Sequence, residues 1–233
     1  MTTPRFDTEP APDVLYRVAR GPDVWTWTDL KYAGHGRWDD PDGSYRVLYA
    51  SATAFGAYLE KLAQFRPDLE LLAAFDHIRE NDRSAPKTAP AGTLPTGWRA
   101  RQLLGKGLTD GVNEPLVAVG RARSLAALRL ALAGVAERLG ITEIDAGVIR
   151  LDLSVEFLRF TQAISRFIYE QARRGTPRYA GIFYLSQHAD DVANCAIFER
   201  DEPFPVTHLE RSAIEIDDED FLRACTLHGI TPS

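Results

Sequence analysis

Apolar positions in this chain fall into short blocks set between long polar stretches. Residues 1–13 carry three prolines and no hydrophobic period, so they read as a disordered or draping tail. The first block, VLYRV at 14–18, predicts a short strand, and Trp25 and Trp27 alternate with threonines as on a half-buried surface. Gly34 to Gly43 is rich in glycine and aspartate and reads as a loop, leading into a second strand at 46–50. Residues 54–65 have helical spacing, with Ser51 or Thr53 as the cap and Pro67 as the stop. A polar connector at 81–97, punctuated by Pro and Gly, sits inside a broader insertion at about 76–115.

Strands are then predicted at 98–103 and 116–119. The clearest helix follows, capped by Ser124, with Leu125, Leu128, Leu132, Val135 and Leu139 on one face and Gly140 at its end. A second long helix is predicted over 155–173, and two apolar strands at 180–185 and 193–198 complete the pattern. Strands and helices are mixed without regular alternation, which predicts an α+β fold.

Composition narrows the class. A chain of 233 residues, 45% hydrophobic and 26% charged, has enough apolar content for one large folded domain. Its net charge of −6 argues against direct nucleic-acid or anionic-membrane binding. From Glu199 onward there are nine acidic and three basic residues, so the acidity belongs to a C-terminal extension (201–233) expected to pack on the same domain. Two cysteines make no disulfide framework. With no signal peptide and no long apolar run, they predict a cytoplasmic protein. Phosphate-loop and nucleophile-elbow motifs are absent. The glycines of Gly105 to Gly111 are spaced wrongly for a dinucleotide loop and read as a solvated turn; Asp39, Asp40 and Asp42 read as turn chemistry rather than calcium ligands. Five scattered histidines give no metal-binding spacing, so no metal is expected.

Five residues carry usable chemistry: Arg17 in YRV, Arg37 in GHGRW, Tyr49 in RVLYAS, Glu60 in the helix that follows, and Ser186 closing GIFYLS. Singly, each has a plain structural use as an ion-pairing group, core rim, solvated face or turn. In this order, and together with TQ at 161–162 and AIFER at 196–200, they resemble the RES domain family, toxins of bacterial toxin–antitoxin pairs. The likeness spans residues 14–200, taken as the catalytic domain. Family members often carry Arg after the serine, where this chain has Gln187, so a contact by a guanidinium at that position is in doubt.

The resemblance implies a fold like the ADP-ribosyltransferase toxins, with NAD held in a cleft between split sheets and helices packed around them. It implies an enzyme that cleaves the nicotinamide–ribose bond of NAD by hydrolysis or phosphorolysis. NAD is then the substrate, with no cofactor, and inorganic phosphate is a candidate co-substrate. Alternatives are ADP-ribosyl transfer to a protein and a catalytically silent binding module. An antitoxin protein is the implied partner. By matching motif, Glu60, Arg37 and Ser186 become the catalytic candidates, and Arg17, Tyr49, Arg37 and Ser186 the NAD-binding ones. The leaving group departs as neutral nicotinamide, so no general acid is needed and one carboxylate, Glu60, suffices to stabilise the oxocarbenium-like transition state. Planar guanidiniums suit the pyrophosphate, and the Tyr49 ring suits stacking on nicotinamide. Gln162 is expected to bond a loop backbone under the cleft.

Overall fold

The most apolar runs of the chain become the middle of one sheet. In a computed structural model that describes residues 4–32, 34–67, 92–151, 154–200 and 204–232, β9 (Gly181–Leu185) and β10 (Ala193–Phe198) pair antiparallel, and β3 (Val47–Ser51) pairs along β10. Beyond β9 lie β6 (Leu116–Ala118), parallel to it, and β1 (Thr8–Glu9) at the edge. On the other side β2 (Val14–Arg20), β5 (Gln102–Leu108) and β11 (Thr207–Ala213) form an antiparallel trio. The full order is β1-β6-β9-β10-β3-β2-β5-β11. Its two halves are joined at one residue pair, Tyr16 opposite Ser51. Past that pair β2 and β3 splay apart, and the wedge between them is the main opening in the sheet.

Two groups of helices cover the halves separately. Helices α2 (Ala122–Ala131), α3 (Ala133–Arg138), α4 (Ala146–Leu151) and α5 (Val155–Tyr169) pack on the β6-β9-β10-β3 half. Ser154 caps α5 by accepting from the Phe157 N–H, and Phe157, Phe160, Ile164 and Ile168 share its buried face. Burial of each is worth about 1.5–3 kcal/mol. Helices α1 (Ala54–Leu62) and α6 (Glu219–His228) pack on the other half, where Phe55, Tyr58, Leu59 and Leu62 meet Phe221 and Cys225. A third cluster on the opposite face, including Leu15, Trp25, Leu48 and Ile197, runs across the join. No helix among the described residues is long and apolar enough to cross a membrane.

The α+β class is as expected, and several local expectations change. Thr8–Glu9 pairs with β6 and Phe6 is buried, so order begins inside the expected tail. The predicted 125–139 helix breaks at Leu132 into α2 and α3, and Ser124 lies within α2, bonded to the Asp7 backbone rather than capping. Helix α5 stops at Tyr169, and Arg174 and Gly175, both at positive φ (55° and 85°), turn the following chain into a hairpin of β7 (Ala172–Arg173) and β8 (Thr176–Pro177). The supposed solvated turn at Gly105 is strand β5, buried between β2 and β11. Its glycines make room for Trp25: a Cβ at Gly105 would lie 2.6 Å from Val24 Cγ1, and one at Gly107 would meet Val206 and Trp25. A strand expected at 98–103 starts only at Gln102, after one 3-10 turn at Arg99–Arg101. Most of the 81–97 connector, and 76–91 of the broader insertion, lie outside the described residues. The C-terminal extension packs on the body through β11, α6 and β12 (Ile230–Thr231), the last pairing with β4 (Gly92–Thr93).

Candidate functional site

The wedge between β2 and β3 encloses a cavity of about 390 Å³. One wall is Tyr16, Arg17 and Val18 of β2, and the other is Tyr49, Ala50 and Ser51 of β3. Because α1 follows β3 after a two-residue turn, capped by Thr53 on the Gly56 N–H, it carries Glu60 and Lys61 over the opening. Tyr184 of β9 and Asn194 of β10 close the cavity from the neighbouring strands, and Gly36 from the loop. Three of the five residues predicted from sequence, Arg17, Tyr49 and Glu60, therefore share one cavity.

Arg17 is held by backbone carbonyls: its Nη1 donates to Val24 O and Thr26 O, both at 2.9 Å. It has no carboxylate partner among the described residues, and burial pushes its pKa down to about 10. Lys61 is also pushed down, first by burial and then by the charges of Arg17 and Arg20. Glu60 is the only carboxylate among the described lining residues. Two cations against one carboxylate favour an anionic ligand.

Tyr49 has its hydroxyl fully engaged. It donates to Asp39 Oδ1 at 2.8 Å and accepts from the Trp38 N–H at 2.9 Å. Burial, then the Asp39 charge, holds its pKa well above the usual phenol range, so it stays neutral and offers the cavity its ring. Asp39 Oδ2 also accepts from the Gly34 and Gly36 N–H groups, while Gln162 of α5 donates to the Gly34 and Gly36 carbonyls at 2.9 and 3.2 Å. The GHGRW loop is thus clamped from both sides. Any Cβ at position 36 would collide with the Tyr49 hydroxyl.

Arg37 faces a second cavity, of about 430 Å³, whose walls include Trp38, Ala118, Val119, Ala146, Ile149 and Phe183. Its Nη1 donates to the Ile149 and Arg150 carbonyls of α4 at 2.9 and 2.7 Å, and its Nη2 to Gln187 Oε1 at 3.3 Å. Tyr184 lines both cavities. Its pKa lies well above the usual range, raised by burial and then by the Glu60 charge, with Arg37 pulling the other way. Ser186 lines neither cavity: it is fully buried, and its Oγ accepts from the His188 N–H at 3.0 Å in the turn after β9.

Sequence reasoning missed Lys61, Tyr184 and Asn194. Lys61 adjoins Glu60 and reads as an ordinary helix lysine. Tyr184 sits in a run of apolar residues whose other members point to core. Asn194 is 1% exposed in an apolar strand, and its Nδ2 donates to Glu60 Oε1 at 2.8 Å. A polar residue inside an otherwise apolar run was the available signal.

A family profile described as the RES domain matches residues 14–222 of the chain. Curated proteins give no match. Among solved structures the chain is similar to one titled as the crystal structure of the M. tuberculosis MbcT–MbcA toxin–antitoxin complex, at 11% identity and a TM-score of 0.48, covering 95% of this chain and 91% of that one.

Proposed function

The chain belongs to the RES domain family, and from that premise we propose that it consumes NAD by breaking the nicotinamide–ribose bond, acting as the toxin of a pair whose antitoxin is a protein. The observation that carries this reading is the cavity at the join of the sheet, where Arg17, Lys61 and Glu60 meet around the Tyr49 ring. NAD is an anionic pyrophosphate joined to a cationic leaving group. Arg17 and Lys61 supply the charge for the former. Glu60 stands where positive charge would develop on the ribose as neutral nicotinamide departs. Tyr49 offers a flat, neutral face for the nicotinamide ring. The apolar cavity beyond Tyr184, rimmed by Arg37, suits the adenosine half. Ser186 serves this reading by holding the turn that carries Gln187 to Arg37, rather than by touching substrate.

Water as acceptor gives ADP-ribose, nicotinamide and a proton; phosphate gives an ADP-ribose phosphate ester and nicotinamide. The experiment is nicotinamide release from NAD by the purified protein, with and without phosphate, alongside labelled NAD to detect transfer to protein. Release is expected, and Glu60→Gln should slow it about 100- to 1000-fold with an unchanged melting temperature. No release under either condition, or wild-type rates in Glu60→Gln, would overturn the proposal.

A further inference from the structure

We infer that Asn194 is the positioning residue of the Glu60 carboxylate, engaging one oxygen and leaving the other for substrate; this rests on the NAD-cleaving role proposed for Glu60. Asn194 is fully within β10, in register between Tyr184 of β9 and Ser51 of β3, and the rest of its strand, Cys195 to Phe198, is apolar and buried. A hydrocarbon side chain would serve that core better. Instead Asn194 keeps a buried amide that is only half satisfied: Nδ2 donates to Glu60 Oε1, while Oδ1 is buried with no hydrogen-bond partner. Leaving an acceptor unpaired costs stability. That cost is offset by the charge-assisted bond to the carboxylate, and the reverse orientation of the amide would set its oxygen against Glu60.

The arrangement has a chemical logic. Glu60 projects from α1 on a flexible stem into a cavity, and an untethered carboxylate there would sample several rotamers. A lysine or arginine at position 194 would tether it but neutralise the charge that the transition state requires. A neutral amide fixes direction and leaves the charge intact. Glu60 Oε2 accepts no hydrogen bond among the described residues, so the tether selects it as the oxygen that meets the ribose.

Asn194→Ala should lower kcat about 10- to 100-fold with KM nearly unchanged, and should add no further loss to Glu60→Gln, since it acts only through that carboxylate. Asn194→Asp should move the acidic limb of the pH–rate profile upward, because two adjacent carboxylates resist ionising together; a merely structural residue would leave that limb in place. Should the Asp variant fail to fold, the Ala series stands alone, with melting temperatures as the control. In the ligand-free protein, the NMR resonance of the Asn194 side-chain amide should shift in Glu60→Gln. Wild-type turnover in Asn194→Ala, a loss fully additive to Glu60→Gln, or an unmoved amide resonance would each overturn the inference. A shifted resonance in a protein that releases no nicotinamide would support the tether while defeating the NAD reading.

Discussion

Two cavities share Tyr184 in their walls and differ in the charged groups they hold. The one at the sheet join sets Arg17, Glu60, Lys61 and Asn194 among tyrosine and aliphatic walls, and its cations lack carboxylate partners among the described residues. The other is chiefly apolar, with Arg37 already occupied by two helix carbonyls and Gln187. Two arginines that look alike in sequence therefore do different work. Arg17 also gives its Nη1 to two backbone carbonyls, but it shares its cavity with Lys61 and has no carboxylate partner among the described residues, so it is suited to take an anion. Arg37 spends two hydrogen bonds holding the C-terminal end of α4, where backbone carbonyls favour a cation. The difference lies in what surrounds each guanidinium: Arg17 stands with a second cation and the Glu60 carboxylate, and Arg37 stands among apolar walls and a neutral amide.

The largest effect that would test this contrast is on affinity. Arg17→Met in the Glu60→Gln background, where NAD is not consumed, should weaken NAD binding about 10- to 100-fold by calorimetry; unchanged affinity would put the anion elsewhere. Next comes the apolar cavity. Ala146→Leu should raise KM for NAD about tenfold by filling it, yet leave nicotinamide mononucleotide, which lacks the adenosine half, unaffected. Equal effects on both substrates would erase the proposed division of labour. Arg37→Lys should act mainly on the fold, lowering stability by about 1–2 kcal/mol in thermal unfolding, with a smaller loss of affinity than Arg17→Met; the reverse order would break the comparison.

The smallest effect is on pH dependence and concerns His188, which lies beside the Gln187–Arg37 contact. Burial first, then the charges of Arg66, His228 and Arg37, pushes its pKa from 6.5 down to about 4. Between those values the unfolded chain binds the extra proton and the folded chain refuses it. Stability should therefore fall as pH drops from about 6.5 toward about 4. His188→Gln should flatten that slope in melting curves taken across the range.

How much of this was legible in the sequence differs between the cavities for a physical reason. Arg17, Tyr49 and Glu60 were legible through their motifs, which together resemble the family's although each residue singly has a plain structural use, and the two-residue turn from β3 to α1 carries Glu60 over Tyr49. The apolar cavity is invisible in sequence, since Ala118, Val119, Ala146 and Ile149 have only packing to announce. Ser186 stood out equally well, yet a turn accounts for its hydroxyl. The glycines at 105 and 107 were misread because their reason is remote: they admit Trp25, some eighty positions away in the chain. The Leu132 break in the long helix and the Arg174–Gly175 hairpin likewise depend on local backbone conformations that hydrophobic spacing does not report.

One consequence of the single Tyr16–Ser51 pairing concerns the main chain rather than any side chain. A strand in mid-sheet is normally saturated on both flanks, but from Arg17 to Arg20 and from Val47 to Ala50 the flanks that face each other have no strand between them. The molecule thus carries two internal edges, sheltered by α1 and the GHGRW loop from the edge-to-edge association that such strands invite on an outer surface. Peptide groups along those edges are offered to whatever occupies the gap, whatever residue stands at Val18 or Ala50. Val18 and Ala50 are themselves buried in the packing, so the backbone that contributes to holding a guest is fixed in place by the core.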